Sequence, residues 1–335
     1  KAAERRGAAV PGVAGGRGAV CGDGDAGASI RAAALQPFPA FDAAFVSRLI
    51  DAPLRLQAVL AQTRAGMWMR NGQAATKPAV LYRSPVFADA FACPDVMLLQ
   101  LGMIRLGAAA LVDAACHQFG VEAFWRRLLS EAAAGGAVPE SPCEPAIEEP
   151  TLAEEVLALL VHVLSERSMI GEPASATARR QLVHRLAMTD ASTHSEICGS
   201  VSRRLLEEDS FLPTLHEVAD YIGPRGMSEG KYTLRREAWR LYDPLYMLSA
   251  SHEMARTHER ASQLAPPDAS PPEPVVPCAA LARLPHQAGC AALHGLAYVV
   301  VAAAAAGSRR VSERMLTAAV RLVTLALWWR PAGVG

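Results

Sequence analysis

Residues 210–235 read SFLPTLHEVADYIGPRGMSEGKYTLR, and the hydrophobic period changes within this stretch. The first half has apolar residues at helical spacing, which predicts a helix from about residue 210 to residue 222. The residues on that stripe are Phe211, Leu215, Val218 and Ile222. Turn-forming residues follow at 223–226, and KYTLR at 231–235 has the composition of a short β-strand. This change from helix to turn to strand decides the class of the region.

Two more helices are predicted upstream of this stretch. One covers residues 177–188, and a short one begins near His194. Three short helices followed by a glycine-rich hairpin is the element order of a winged helix. The sequence therefore predicts a winged-helix domain with a small β-hairpin at residues 175–250.

A longer helix is predicted before the winged helix. Thr151 and Glu154 have the spacing of a capping box, in which each side chain bonds the backbone N–H of the other residue. Apolar residues recur at helical period behind them, and Gly171 with Pro173 is expected to end the helix. Those apolar residues are Leu152, Val156, Leu159, Leu160, Val163 and Leu164. We assign residues 151–174 to a bridging helix.

The remaining segments complete a mainly α-helical fold class. Residues 1–36 consist largely of Ala, Gly and Arg and bury too little apolar surface to offset the entropy of ordering, so we predict that they are disordered. Residues 37–134 form a predicted helical domain, in which Asp95 is expected to cap an almost wholly apolar helix at 95–106. The other segments are a linker at 135–150, a helix with a proline-rich linker at 251–277, and a helical pair at 278–330.

The charge balance argues against a nucleic-acid-binding protein. Lys and Arg together number 33, as do Asp and Glu, so the formal net charge is zero. The helix that a winged helix would place on DNA carries Glu217 and Asp220 but no Lys or Arg, and the acidic run EED at 207–209 precedes it. Phosphate binding depends mainly on Lys and Arg. A winged-helix nucleic-acid-binding or transcriptional regulatory protein is kept as the alternative, because such proteins share the fold.

The seven cysteines do not form a metal-binding or disulfide pattern. They are widely scattered without a C-x-x-C, whereas a zinc module or a secreted disulfide framework has closely spaced ligands. They are Cys21, Cys93, Cys116, Cys143, Cys198, Cys278 and Cys290. We expect reduced thiols and no metal site. The longest apolar run, residues 296–306, is about half the length that spans a bilayer, so no membrane partner is expected.

No motif predicts a catalytic residue. His194, Ser195 and Glu196 are adjacent, but the side chains of sequence neighbours point in different directions and cannot form a triad. We interpret Thr193 or Ser195 as the start of a helix. Cys198 has no predicted base beside it that would make it a nucleophile.

Three further features are interpreted as structural. His162 and His184 lie on apolar helices and are expected to be hydrogen-bonded at the edge of the core rather than to bind a metal. Trp68 is expected in the core, followed at Asn71-Gly72 by a turn or helix end that needs positive φ. A mildly basic helix face is expected to be solvated. Its residues are His252, Arg256, His258 and Arg260.

Several blocks of this sequence resemble, in the same order, blocks of the N-recognin ubiquitin ligases of the UBR-box/RING type. The most distinctive is AGMW at 65–68 followed by RNG at 70–72. The others are PLR at 53–55 with Gln62, DVMLLQ at 95–100, RQLVHRL at 180–186 with HSE at 194–196, GKYTL at 230–234 with YDPLY at 242–246, PVVP at 274–277 and SERML at 312–316. They cover residues 45–327, and the plant members are the most similar.

The resemblance implies a role as part of a larger enzyme. The family recognises proteins with basic or bulky N-terminal residues through a zinc-binding UBR box, and a RING domain recruits a ubiquitin-charged E2. Ubiquitin then goes to substrate lysines for proteasomal degradation. This segment would lie between the two zinc modules as a scaffold, without catalytic, cofactor-binding or metal residues of its own. The E2 and the N-degron substrates would bind elsewhere, without nucleic acid or membrane, and the resemblance implies a cytoplasmic location with the nucleus as a second one.

Overall fold

The computed structural model describes residues 42–134, 148–224, 226–227, 229–248, 251–264 and 278–329, with only the backbone described for Ala75 and for residues 251–255. The predicted segments at 1–36, most of 135–150 and 265–277 lie outside these ranges. The α-helices in chain order are α1 Ala43–Arg64, α2 Gln73–Tyr82, α3 Ala92–Leu106, α4 Ala108–Phe119, α5 Glu122–Ala133, α6 Glu149–Ser165, α7 Ala174–Met188, α8 His194–Cys198, α9 Arg203–Leu206, α10 Phe211–Val218, α11 Ser251–Leu264, α12 Leu284–Gln287, α13 Ala291–Ala305 and α14 Glu313–Trp328. The strands are β1 Ser192–Thr193, β2 Ala219–Ile222 and β3 Lys231–Leu234, and short 3₁₀ helices cover Met69–Asn71, Pro85–Phe87, Arg236–Leu241 and Ala279–Leu281.

The predicted mainly α fold with a winged helix is confirmed. Helix α7 is followed by β1, by α8 to α10 and then by the antiparallel pair of β2 and β3. The sheet order is β1-β3-β2, with Tyr232 of β3 opposite both Ser192 and Tyr221. The winged helix has its own hydrophobic core, built around Leu182, Ile197 and Leu215. The two-residue strand β1 was not predicted, because it is too short to produce a period in the sequence.

The predicted helix at 210–222 is wrong in its second half. Helix α10 ends at Val218, and the next four residues form β2. Ile222 is 44% exposed, whereas Phe211 at the start of the same stripe is buried. The N–H of Arg235 donates to the Val218 carbonyl at 2.9 Å, so pairing with β3 begins at the end of the helix. Tertiary strand pairing therefore overrides the local helical period.

The bridging helix also has different limits from those predicted. Helix α6 begins two residues before Thr151 and has no capping box, because Glu154 instead accepts a hydrogen bond from the Ser312 hydroxyl at 2.6 Å. It ends at Ser165, before Gly171, since Glu166 has an extended backbone with ψ 132°. Gly171 has a φ of +109° and lies against the Cys278 backbone, where a Cβ atom would come within 3.2 Å of the nitrogen.

The helix predicted at 95–106 begins earlier, at Ala92. Asp95 therefore lies in the first turn of α3 instead of capping it, and its carboxylate accepts a hydrogen bond from the Tyr82 hydroxyl at 2.8 Å. Gly102 allows α1 and α3 to approach closely, because a Cβ atom there would lie 2.6 Å from the Ile50 Cγ2 atom. The apolar surface of α3 is thereby buried against α1.

One hydrophobic core joins the first helices of the described chain to the last two. Helix α6 contributes residues from most of its circumference, α14 packs beside it, and α13 packs against α5. The predicted helical domain, bridging helix and C-terminal pair thus share a single core, here called the helical core. This continuous packing does not fix domain limits, so the division into segments stays a prediction. Among the described helices, none alone is long and apolar enough to cross a membrane, although Ala279–Gln287 and Ala291–Ala305 reach that threshold as a pair bent by 44°.

Candidate interaction site at the junction of the winged helix and the helical core

The winged helix contacts the helical core through buried charge. Arg180 of α7 binds Glu166 at 3.0 Å and Glu172 at 2.7 Å, on the segment that follows α6. The Thr177 hydroxyl donates to Glu172 at 2.7 Å. Burial would raise the pKa of Glu166, but Arg180 and the backbone N–H groups of Ser168 and Arg167 outweigh burial and hold it below its ordinary value. The ion pairs therefore fix the N-terminal half of α7 to the segment that follows α6.

The segment YDPLY at 242–246 connects three helices at a second point. The Asp243 carboxylate receives two hydrogen bonds from Arg321 of α14, at 3.1 and 3.2 Å, and the Asp243 N–H donates to Nε2 of His184 at 2.9 Å. The Leu245 carbonyl accepts from Nε2 of His162 on α6 at 2.6 Å, and the Tyr246 ring stacks on His184 with centroids 3.9 Å apart. The segment thus fastens α7, α6 and α14 together.

Both histidines are hydrogen-bonded within the protein, as predicted. Nδ1 of His184 donates to the Arg180 carbonyl at 2.7 Å, so this imidazole is neutral, with Nε2 as acceptor. Burial lowers the pKa of His184, and loss of solvation, aided by Arg314 and Arg83, lowers the pKa of His162 to about 4. Protonation of either ring is therefore disfavoured in the folded state.

A third cluster lies under this junction, within the helical core. Glu155 of α6 is 4% exposed, and its carboxylate is bound by Arg64, by Arg83 at 2.7 Å and by Arg314 at 2.6 Å. Burial alone would raise the pKa of Glu155, but the three guanidinium groups hold it well below its usual range. Glu154 shares Arg314, at 2.8 Å. Helices α1, α6 and α14 and the end of α2 are joined by these charges.

An open cleft of about 520 Å³, here called the junction cleft, lies beside these clusters. Helices α1 and α2 form one wall, and α7, the loop after α8 and residues 246–248 form the other. Its cations are Arg64, Arg83 and Arg185, and no Asp or Glu lines it among the described residues. Its apolar lining includes Leu60, Val80, Met188 and Leu248. The cleft combines positive charge with apolar surface, which suits a ligand that carries both negative charge and apolar groups.

The face of the winged helix that carries α10 and β2 is exposed, and its carboxylates are paired with arginines. Glu217 of α10 pairs with Arg179 at 2.7 Å, and Asp220 pairs with Arg235 at 3.0 Å, both near the surface. Leu212 and Tyr221 are 50% and 56% exposed. The helix that could read DNA therefore offers carboxylates and apolar side chains, which do not neutralise phosphate.

The residues that could suggest catalysis are brought into no productive arrangement. His194, Ser195 and Glu196 are consecutive residues of the five-residue helix α8, which Thr193 and Glu196 cap reciprocally. The Cys198 sulfur lies 3.6 Å from Nδ1 of His194, but burial raises the pKa of the thiol and opposes thiolate formation. Among the residues with described side chains, no three His, Cys, Asp or Glu groups could share a metal ion.

One expectation about the core is wrong, and one about the surface holds only in part. Trp68 is 39% exposed, and its indole N–H donates to Gln62 at 3.2 Å, although the predicted positive φ is present at Gly72. The basic face of α11 is only partly solvated. Arg260 lies over the Trp239 ring at 5.3 Å and donates to the carbonyls of Ala187 and Thr189. Arg256 is exposed, and Nε2 of His258 lies 3.2 Å from the Glu313 carboxylate. Only the backbone of His252 is described. The Trp239 ring of the winged helix attracts Arg260 of this face.

The charged residues of the junction were not predicted as a site, although His162 and His184 were expected to be hydrogen-bonded. Glu155 and His162 are polar residues within the apolar pattern of α6, and Asp243 precedes a proline after the predicted strand. One signal was available: a charged residue stands where the helical period calls for an apolar one. Such a residue predicts a buried partner, because buried charges are rare unless paired. The partners Arg64, Arg83 and Arg314 are distant in sequence, and no periodicity relates them to Glu155.

Comparisons with known proteins agree with this architecture. The family model described as "E3 ubiquitin-protein ligase UBR1-like, winged-helix domain" matches residues 177–265. The chain is 29% identical to E3 ubiquitin-protein ligase PRT6 of Arabidopsis thaliana over 219 residues, which are 65% of this chain and 10% of that protein. It is 27% identical to E3 ubiquitin-protein ligase UBR3 of Homo sapiens over 220 residues, with 62% of this chain and 11% of the relative covered. It is 25% identical to human UBR2 over 245 residues, with 68% and 13% covered.

The matched region is about a tenth of the length of these relatives. Winged-helix order, the buried junction and sequence similarity over most of the described residues agree with one another. The chain is therefore similar to the UBR-type E3 ubiquitin-protein ligases over most of its described residues, and residues 177–265 match their UBR1-like winged-helix domain.

Proposed function

We propose that this chain is a scaffold segment of a RING-type E3 ubiquitin-protein ligase that recognises N-degrons and promotes ubiquitin transfer to substrate lysines for proteasomal degradation. The names of its relatives support ligase activity for the whole protein, and with it an E2 and protein substrates as partners. The observation that carries the scaffold role is the junction, where Arg180, Asp243 and their partners tie the winged helix to the helical core.

Buried ion pairs suit a scaffold because they specify geometry. Removing one partner of such a pair leaves an uncompensated buried charge, so alternative orientations of the winged helix are penalised. A fixed orientation keeps modules attached to its two ends at a constant separation, which favours transfer between a bound substrate and a bound E2. In this proposal the chain holds the other modules in position, and the reacting groups belong to those modules.

The residues of this chain do not fit the zinc that the resemblance implies for the whole protein. A closed structural zinc site needs four convergent Cys or His ligands. The cysteines with described side chains, Cys93, Cys116, Cys198, Cys278 and Cys290, lie far apart in the sequence, and no three possible ligands converge among the described side chains. We therefore propose zinc only for UBR-box and RING modules elsewhere, and derive no step through it here.

A ubiquitination assay tests the proposal. The chain alone, given E1, E2, ubiquitin and ATP, should form no isopeptide product. In the whole ligase, Arg180→Met should slow substrate ubiquitination while leaving binding of the N-degron peptide unchanged, and the neighbouring Arg179→Met should change neither. Ubiquitin transfer by the chain alone would overturn the proposal. So would full ubiquitin transfer by an Arg180→Met ligase whose winged helix is shown to have loosened.

Nucleic-acid binding is the rival function, and the acidic face of α10 disfavours it. A gel-shift experiment over a range of salt concentrations separates the two, because phosphate binding weakens steeply with added salt. We expect no shifted band at low salt. We also propose a cytoplasmic location, with the nucleus as a second one, which a tagged whole protein would reveal by microscopy.

A further inference from the structure

Among the described residues, the cation Arg185 on the wall of the junction cleft has no ion-pair partner. Its side chain is partly buried, its Nε atom is buried without a hydrogen bond, and its guanidinium forms no ion pair within the described residues. Arg180, one turn earlier on α7, binds two glutamates. Arg185 faces the cleft and is therefore available to a ligand.

The carboxylates around the cleft are already occupied. Asp89 binds the Ser202 hydroxyl and lies 3.4 Å from Arg204. Glu196, whose charge acts on Arg185 at longer range, accepts the Thr193 N–H at 2.8 Å as part of its helix cap. Neither side chain can close on Arg185 without abandoning these bonds, which leaves the positive charge in the cleft uncompensated.

The opposite wall adds positive charge. Arg64, Arg83 and Arg314 share the two carboxylates of Glu154 and Glu155, so this cluster keeps one positive charge in excess. Arg64 and Arg83 line the cleft and retain about a fifth of their side-chain exposure. A guanidinium has five N–H donors, so each can still offer one to a ligand.

Apolar side chains lie between these cations. Val80 is 67% exposed on α2, and Leu60, Met188 and Leu248 extend the apolar surface across the floor and the other wall. The volume of about 520 Å³ falls within the range of roughly 300–1,000 Å³ that is usual for ligand sites. The cleft is open to solvent, so an extended chain can lie in it.

We propose that the junction cleft binds an extended acidic peptide segment of a partner protein, with a carboxylate paired to Arg185 and a neighbouring apolar side chain packed against Val80 and Met188. Charge complementarity selects this occupant, because the described lining has three arginines and no carboxylate, which favours an acidic chain. A nucleic acid fits less well, because a phosphate backbone needs a row of free cations, and Arg64 and Arg83 are already shared with glutamates. The site does not depend on the proposed ligase role.

Fluorescence anisotropy on the full chain tests the site. The probe is the fluorescein-labelled peptide Gly-Ser-Asp-Leu-Glu-Asp-Leu-Ser-Gly, compared with the same peptide in which Asn and Gln replace the acidic residues. We expect saturable binding of the acidic peptide only, weakened by added salt. Arg185→Gln should weaken it at least about tenfold, as expected for loss of a charge-assisted hydrogen bond. The control Arg203→Gln, on the exposed surface of the same domain, should not.

A second pair of variants avoids any dependence on folding. Val80 is exposed, so Val80→Asp and Val80→Asn should both fold. Only Val80→Asp should repel the acidic peptide. Val80→Asn should lose only the affinity that comes from the apolar contact of Val80. Equal binding of both peptides, equal affinity of Val80→Asp and Val80→Asn, or unchanged affinity in Arg185→Gln would overturn the proposal. Two further results would also overturn it. One is full displacement of the peptide by inorganic phosphate together with equal binding of a peptide in which Ser replaces Leu. The other is tighter binding of single-stranded DNA than of the acidic peptide.

Discussion

Arg179 and Arg180 are consecutive residues of one helix, yet they belong to two different faces of the winged helix. Arg180 points to the packed face, where it binds Glu166 and Glu172. Arg179 points to the open face, where it binds Glu217 of α10 at the surface. The distances are similar and the two arginine side chains are almost equally exposed, at 29% for Arg180 and 35% for Arg179, but Glu166 and Glu172 are largely buried whereas Glu217 is 57% exposed. The difference teaches that distance alone does not measure what an ion pair contributes, since solvation decides it.

The two faces also differ in what they can bind. On the packed face, α7 is surrounded by the helical core, the YDPLY segment and the Arg260 side chain of α11. On the open face, α10 and β2 present acidic and apolar side chains. A DNA-binding winged helix would need unpaired cations on the open face, whereas Arg179 and Arg235 there are paired with Glu217 and Asp220. In this protein the fold is used as a packed structural unit.

The largest expected effect is on the packed face, in Arg180→Met. The substitution leaves Glu166 and Glu172 buried without their cation, so the free energy of unfolding at neutral pH should fall by about 3–5 kcal/mol. Urea unfolding followed by circular dichroism measures it. The loss should shrink below about pH 5, where the carboxylates can be protonated. A loss that is small at neutral pH would mean that the pairs are solvated.

A pH-dependent effect of similar origin is expected at His162. Its pKa is lowered to about 4 in the folded protein from an unfolded value of about 6.5, so the neutral form is favoured on folding. The stability from this residue is present above about pH 6.5 and is lost as the pH falls toward 4, by roughly 3 kcal/mol in all. Thermal unfolding of wild type and His162→Gln between these pH values should show a shallower dependence in the variant. Parallel curves would contradict the assignment.

A smaller effect is expected where Asp243 binds Arg321. Asp243→Asn keeps the backbone N–H that donates to His184 but removes the charge that receives two hydrogen bonds from Arg321. We expect a loss of about 1.5–3 kcal/mol in the free energy of unfolding, which urea titration would detect. The double variant with Arg321→Met should recover part of that loss, because both members of the pair are then gone.

The smallest effect is expected on the open face, in Arg179→Met. Its exposed pair with Glu217 should contribute about 0.2–1 kcal/mol, and that contribution should vanish in high salt. Urea unfolding of Arg179→Met and Arg180→Met in the same buffer compares the two ion pairs directly, because both arginines lie on α7. Equal losses in the two variants would remove the distinction between the faces.

The elements were predictable from the sequence to different degrees. Hydrophobic period located α7 and the stripe of α10, and turn composition located the hairpin, because these signals are local. The strand β2 was taken for helix, since Ile222 continues the helical period by chance and its pairing with β3 is a tertiary effect. The junction could not be predicted, because Glu155 finds arginines from α1, from the end of α2 and from α14, and Asp243 finds one from α14. The junction cleft depends on those same distant contacts.

The central claim is that the buried pairs make the winged helix and the helical core one cooperative unit. Native-state amide hydrogen exchange tests it directly, because it measures the opening free energy of each element. In the wild type, amides of α7 and β3 should exchange through the same opening as those of α6, and Arg180→Met should lower the protection of α7 and β3 more than that of α6. The claim is contradicted if α7 and β3 already open at much lower free energy than α6 in the wild type and Arg180→Met leaves that difference unchanged.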